Sequence, residues 1–302
     1  MVVPSSSDEG ACSNEGMVQI RDNSAILPEP PPELLYRHHS RLRTCLPELW
    51  ASRDIILTLA ERDFRAQYKQ ATLGVMWALL APMAMLFIFT VIFSRTQVYG
   101  IAGIPYPIFA YIGILCWNFF AQALGTGGNS LLSNNALMSK TQFPRECFPL
   151  ETVLVTALNT VISWIPLAVL FVVYGFVPAA TSVWVPLLMV IELIFTIGVT
   201  VGISAMIIQM RDLVQVLPIV ISLGLFVTPV IWQFDKIPPE WQLVYGFVNP
   251  LGPVIDDARR TILLGLSPSW GPLLAAGLGA VSYLALGYWL FKRYEVNFAD
   301  IA

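Results

Sequence analysis

The chain has 302 residues, of which 56% are hydrophobic and only 12% are charged. Soluble domains carry about 25% charged residues, so this composition excludes a water-soluble globule and predicts a protein surrounded by lipid. The net charge is -3 and the sequence has no long Lys/Arg run, so a nucleic-acid partner is not expected.

Residues 1–45 are predicted to form a flexible cytoplasmic tail. The stretch is rich in Ser, Pro and acidic residues, and it lacks the apolar core that a signal peptide requires. Both histidines of the chain, His38 and His39, lie in it. The sequence assigns the tail no role.

An amphipathic helix is predicted over residues 46–70. Pro47 suits its first turn, and apolar residues from Leu49 to Phe64 recur at three- and four-residue steps. Such a helix is expected to lie in the membrane plane with its apolar face in the lipid interface. The pattern leaves packing on a cytoplasmic partner open as the alternative.

Six membrane-spanning helices are predicted, because a helix needs roughly 20 apolar residues to cross the hydrocarbon core and must satisfy its own backbone there. Basic residues are in excess on the side of the N-terminus, which places both termini in the cytoplasm. The fold class is therefore an all-α integral membrane protein. The spans lie near residues 73–94, 107–131, 152–176, 183–209, 213–234 and 271–291.

A re-entrant helix pair is predicted over residues 241–264, before the last span. Its apolar run is interrupted by two prolines and then by four charged residues: Pro250, Pro253, Asp256, Asp257, Arg259 and Arg260. Adjacent charges are costly in a lipid-facing helix. Two short helices that enter the membrane and return fit this pattern better than a seventh span.

The sequence predicts neither a catalytic nor a metal site. It has no G-x-x-x-x-G-K-[ST] phosphate loop, and its four cysteines form no C-x-x-C pair. The chain is therefore expected to be non-catalytic. If ATP drives it, a separate chain must hydrolyse that ATP.

Aromatic residues and one carboxylate within the predicted spans leave alternatives open. Tyr111, Trp117, Phe119 and Phe120 crowd one span and are the candidates for lining a translocation path, although interfacial aromatic belts give similar patterns. Glu192 is either buried in the fourth span, where an ionisable group suggests function, or exposed at that span's outer end.

Four segments in chain order resemble the permeases of type-2 ABC exporters. The closest subgroup exports O-antigen, capsular polysaccharide and teichoic acid, and the resemblance covers about residues 46–302. The segments are Arg62–Lys69 continuing into Leu73–Trp77, Lys140–Glu146 followed by Phe148–Pro149, Asn249–Leu251 with Arg259, and Phe298–Asp300.

The resemblance implies a transmembrane domain over residues 46–302 that forms a homodimer in the bacterial inner membrane. Two copies of a separate ATPase, which bind ATP and magnesium, would drive export of a lipid-linked glycan, with no cofactor on this chain. A drug or small-lipid exporter and a membrane enzyme acting on lipid-linked sugars are the alternatives.

The resemblance also implies roles for particular residues. Phe143, Pro144, Arg145, Glu146 and Phe148 are expected to couple the permease to the ATPase, and Pro144 and Pro149 to stop helices. Asp63, Arg65 and Lys69 are expected to pair with the ATPase or with lipid headgroups. Asn249, Pro250 and Arg259 mark the re-entrant segment.

Overall fold

The computed structural model describes residues 51–69, 74, 76–93, 103–134 and 144–295. Every regular element within these ranges is helical. The predicted tail 1–45, residues 46–50 and 70 of the predicted amphipathic helix, and the motif Phe298–Asp300 lie outside the described residues.

Two of the described connections contain a 3₁₀ turn, Ala180–Trp184 and Phe234–Lys236. In chain order the α-helices are α1 (Arg53–Lys69), α2 (Met76–Phe93), α3 (Tyr106–Gly128), α4 (Ser130–Ser133), α5 (Cys147–Ser163), α6 (Ile165–Val173), α7 (Val185–Gln209), α8 (Leu213–Val227), α9 (Pro239–Val248), α10 (Leu251–Arg259) and α11 (Trp270–Glu295).

Five helical segments in the described part are long and apolar enough to cross a membrane. The predicted multi-pass, all-helical character is therefore confirmed. The segments are Met76–Phe93, Tyr106–Gly128, Cys147–Val173, Ala180–Gln209 and Trp270–Glu295.

The count of six spans is not confirmed, because α8 has only 15 residues. The prediction over residues 213–234 was too long. Thr228 adopts an extended backbone with ψ 141°, as expected for a residue that precedes a proline, and the helix ends before Pro229. The sequence stays apolar through residue 232, but the helix does not continue past Val227.

The span predicted over residues 152–176 begins earlier than expected. Helix α5 starts at Cys147 and takes Pro149 into its first turn, where the missing N–H of proline has no cost. Pro149 was therefore wrongly expected to stop a helix. A one-residue turn at Trp164 separates α5 from α6, which continues to Val173 with Pro166 in its own first turn.

Helix α3 lies at the centre of the bundle and is the most buried of the apolar helices. It contacts α2, α5, α7 and α10, and the Phe120 ring stacks on Phe195 of α7 with centroids 5.2 Å apart. Interior helices of this kind hold the others in place through side-chain packing.

Small residues bring α7 and α11 together along most of their length. Gly202 approaches Gly287 so closely that a Cβ on Gly202 would lie 3.0 Å from the Gly287 Cα, and Gly198 faces the backbone of Leu284. The G-x-x-x-G pair at residues 198 and 202 thus forms a close helix contact within the subunit.

The segment predicted over 241–264 consists of two short helices. Helix α9 packs on α11 and ends at Asn249, and α10 begins directly after Pro250 and packs on α3 and α7. A π-helical turn, Arg260–Leu264, then ends at Gly265 with a φ of 69°, a left-handed conformation that glycine adopts without a steric penalty.

Candidate functional site

The segment Pro144–Phe148 folds into the start of α5. Phe143 lies outside the described residues. The Cys147 N–H donates to the Pro144 carbonyl over 3.1 Å, and the Phe148 side chain is buried against Leu131 and Phe291. Phe148 therefore packs within its own subunit, and its expected role in coupling to an ATPase stays a prediction. Pro144 and Arg145 are half-buried.

Glu146 contacts two side chains of the last helix, α11. Its carboxylate is only 2% exposed, forms an ion pair with Lys292 of α11 and accepts a hydrogen bond from the Tyr288 hydroxyl over 3.2 Å. The Lys292 ammonium, 9% exposed, also donates to Glu295 over 2.9 Å. This buried network ties the start of α5 to the end of α11. The expected contact between Glu146 and an ATPase stays a prediction.

Helix α1 presents its charged residues on the exposed side. Arg62 pairs with Asp63 over 2.6 Å, and this hydrogen bond raises the pKa of the Arg62 guanidinium. Arg65 pairs with Glu61, one turn earlier, and the Lys69 side chain is exposed. These residues are placed where an ATPase or a headgroup has access to them, and both roles stay predictions.

The other side of α1 packs along α5. The Tyr68 hydroxyl donates to the Asn159 side-chain oxygen over 2.7 Å, and the Asn159 amide donates to Gln67 over 3.1 Å. Burial raises the pKa of Tyr68, so its hydroxyl remains a donor at neutral pH. Helix α1 is thus attached to the bundle by polar contacts of its C-terminal turn.

The candidate path residues are packed inside the subunit. Tyr111, Trp117, Phe119 and Phe120 are all buried in α3, and the Tyr111 hydroxyl donates to the Ser163 carbonyl over 2.9 Å. Crowded aromatics in one span indicate a packed core as well as they indicate a path. Their role in lining a path stays a prediction.

Arg259 is a buried clamp at the end of α10. Its side chain is 1% exposed, and its guanidinium lies 3.8 Å from the centroid of the Phe109 ring. Its guanidinium donates to four backbone carbonyls: those of Phe109 (3.1 Å), Pro229 (2.9 Å), Trp232 (3.2 Å) and Val230. The clamp ties α10 to α3 and to the non-helical segment after α8.

Asn249, which lies just before α10, forms a hydrogen bond to the same non-helical segment. Its amide donates to the Thr228 hydroxyl over 2.9 Å and to the Tyr245 hydroxyl over 3.0 Å. Pro250 occupies the position directly before α10 with φ −55°. The three residues of the family-like motif, Asn249, Pro250 and Arg259, therefore fix one short helix between α8 and α3.

The carboxylates near Arg259 make local contacts. Asp257 accepts hydrogen bonds of 2.7 Å from both the backbone N–H and the hydroxyl of Ser269, and it lies 3.8 Å from Arg260. Glu192, for which burial and exposure were both open, is buried. Neither of its oxygens has a hydrogen-bond partner among the described residues.

A polar cavity of about 370 Å³ lies between α1, α2, α3 and α5, and sequence reasoning did not identify it. The sequence signal was present as amide side chains inside a predicted span, at Asn118 and Gln122, but its meaning depends on what α1 and α5 place opposite. The polar residues facing the cavity include Gln67, Tyr68, Asn118, Gln122, Asn159 and Ser163.

Five long apolar helical segments, one of which is buried at the centre of the bundle, define a multi-pass membrane protein. The family model of ABC-2 type transporters matches residues 55–263, and the chain belongs to this family. Membership implies an ABC ATPase as a partner, and the relatives named below are transport subunits.

Several relatives match over nearly their whole length. The O-antigen export system permease protein RfbA of Klebsiella pneumoniae is 27% identical over 82% of this chain and 95% of the relative. The protein of the same name from Myxococcus xanthus is 27% identical over 84% and 97%, respectively. The polysialic acid transport protein KpsM of Escherichia coli is 20% identical over 78% and 91%.

Proposed function

We propose that this chain is the membrane-spanning permease of an ABC exporter that moves a lipid-linked polysaccharide across the inner membrane of a bacterium. The observation that carries the proposal is the alignment with O-antigen export permeases over 95% and 97% of their length. A match of this extent is not limited to one shared motif. ATP and magnesium would bind to a separate ATPase.

The proposed topology has six spans and cytoplasmic termini. Helix α8, with the segment that Arg259 clamps, would complete the fifth span, since its exposed apolar side chains, such as Ile219 and Leu223, suit contact with lipid or a second subunit. Helices α9 and α10 would form the re-entrant pair, because protein covers the Arg259 charge. Residues 46–302 would then form the transmembrane domain, preceded by the tail.

In the proposed mechanism, two copies of the permease associate with two copies of the ATPase. Closure of the ATPases on ATP would push the loop before α5 and the exposed charged side of α1. Because Glu146 is paired with Lys292, the start of α5 and the end of α11 would move together. ATP must favour one arrangement by several kcal/mol for such a switch to operate.

The test is deletion of the gene in its host, followed by cell fractionation for glycans and complementation with the intact gene. Loss of surface polymer with lipid-linked polymer retained in the cytoplasm supports the proposal and identifies the cargo. Surface polymer that is unchanged, in a host without a second exporter of this family, contradicts it and favours the drug or small-lipid alternative.

A further inference from the structure

The cavity between α1, α2, α3 and α5 combines polar side chains from separate parts of the chain. Asn118 and Gln122 lie one turn apart on α3 and therefore point to the same side of that helix. Gln67 enters from α1 and Asn159 from α5, while Trp77 lies at the start of α2. Long-range packing has thus assembled a polar surface within a largely apolar bundle.

Several hydrogen-bonding groups in this cavity remain available to a ligand. The amides of Asn118 and Gln122 have no hydrogen-bond partner among the described residues. Gln67 uses its side-chain oxygen to accept from Asn159, which leaves its N–H groups available. Asn118 is half-buried, while Gln67 and Gln122 are exposed. Each amide offers both donors and an acceptor, and where lipid instead of water faces the cavity, an unpaired amide is penalised. The cavity is therefore suited to a polar occupant.

The described residues around the cavity carry no charge, which limits the kinds of ligand that can bind there. Diphosphates and carboxylates are typically bound by Arg or Lys. An acyl chain would leave the amides unpaired. The lining fits a neutral ligand that carries many hydroxyl groups, each of which can donate to and accept from an amide.

The position and size of the cavity also suit one part of a glycan. Its volume of about 370 Å³ lies in the range of small-molecule sites, about 300–1,000 Å³. Asn159 is twelve residues after Cys147, the first residue of α5. It therefore lies about 18 Å along that helix from the loop that precedes α5. The indole of Trp77 is 57% exposed and offers a flat apolar face to a sugar ring.

We propose that this cavity binds a neutral glycosyl unit of the exported polymer, through the amides of Gln67, Asn118 and Gln122 and the indole of Trp77. This inference rests on the proposed function and adds to it a location and a substrate class. The site selects uncharged, hydroxyl-rich sugars, and the lipid diphosphate of the substrate binds elsewhere.

The experiment uses the full-length permease in lipid nanodiscs, with maltotriose as the neutral probe and sialyllactose as the anionic probe. Saturation-transfer NMR reports binding of each. We expect maltotriose to bind, and Asn118→Leu and Gln122→Leu to weaken its binding about five-fold each, as the loss of one or two hydrogen bonds predicts. Gln215→Leu, an exposed amide on α8 outside the cavity, is the matched control.

Trp77→Ala is expected to weaken binding similarly, while Trp241→Ala, at an equally exposed tryptophan of α9, leaves it unchanged. Tighter binding of sialyllactose than of maltotriose overturns the proposal, as does maltotriose binding that Asn118→Leu and Gln122→Leu leave unaltered. The proposal is also overturned if these variants shift from dimer to monomer while their sugar binding is unchanged. The cavity would then be part of a subunit interface.

Export in cells separates failure of the site from failure of the function. If deletion of the gene abolishes surface polymer but the Asn118→Leu/Gln122→Leu double variant exports normal amounts, the proposed function stands and the glycan site is refuted. If the double variant accumulates to normal levels in the membrane and exports poorly, the site is supported.

Discussion

Lys292→Met is expected to destabilise the permease strongly, because it leaves the carboxylate of Glu146 buried without its counter-charge. Glu146 is 2% exposed, and it would keep the hydrogen bond from the Tyr288 hydroxyl at 3.2 Å, which carries no charge. Removing one member of a buried pair costs about 3–5 kcal/mol. Lys292 lies at the junction of two segments that the proposed mechanism moves together.

The reciprocal change should have a smaller effect. In Glu146→Gln the amide oxygen can still accept from Tyr288, and Lys292 keeps Glu295 at 2.9 Å, so a cost of about 1–3 kcal/mol is expected. In the Glu146→Gln/Lys292→Met double variant neither Glu146 nor Lys292 leaves a buried charge behind, and Glu295 loses Lys292 as it does in the single Lys292→Met variant. The cost of the double variant should therefore be smaller than the sum of the single costs by about 1–3 kcal/mol.

Reversible unfolding in mixed micelles of rising SDS fraction measures these free energies. Arg293→Met removes a cation from the next, exposed position of the same helix and should change stability by no more than about 0.5 kcal/mol. Single costs that add within about 0.5 kcal/mol in the double variant would show that Glu146 and Lys292 do not interact. That result would refute the reasoning.

Two further predictions concern the Arg259 clamp. Gly113→Ala should lower the membrane level of the protein, because the new Cβ would overlap the guanidinium of Arg259, whereas Gly277→Ala, with open space around it, should be neutral in quantitative immunoblots. If both variants accumulate equally, the packing around Gly113 is looser than described. Arg259→Lys should cost about 1–3 kcal/mol in the micelle assay, since an ammonium with three donors leaves at least one of the four carbonyls unpaired; wild-type stability would contradict this.

The clamp and the Glu146 network have a common physical character. Each places a charged side chain where water is excluded, and each satisfies that charge from more than one helix or segment. Such contacts contribute little net stability over an apolar replacement, but removing one partner is costly. They therefore fix which segments stay together, and the Glu146 network joins the two segments that the proposed mechanism moves together.

The apolar helices were predictable because the bilayer imposes a length on them. The prediction 107–131 corresponds to Tyr106–Gly128, and the prediction 271–291 to Trp270–Glu295. Errors arose at prolines, where hydropathy gives no information on the backbone. Pro149 is accommodated in the first turn of α5, while the residue before Pro229 ends α8.

The faces of these helices could not be predicted in the same way. A helix that is apolar all round gives no periodic signal for the side that is buried, so the aromatic residues of α3 suggested a path although they are buried within the subunit. The ion pair of Glu146 could not be predicted either. Its actual partner, Lys292, lies far away in the sequence, and no local pattern relates the two.

The sequence by itself determined that the chain is a multi-pass helical membrane protein, where its long apolar helices lie, and which family its motifs resemble. The first two properties follow from local composition and segment length, which the bilayer constrains directly, and the third rests on the motifs alone. Only the tertiary structure decided that Arg259 closes on four backbone carbonyls, that Glu146 meets Lys292, and that Gln67, Asn118 and Asn159 share one cavity. These contacts join distant segments, so their existence depends on how whole helices pack.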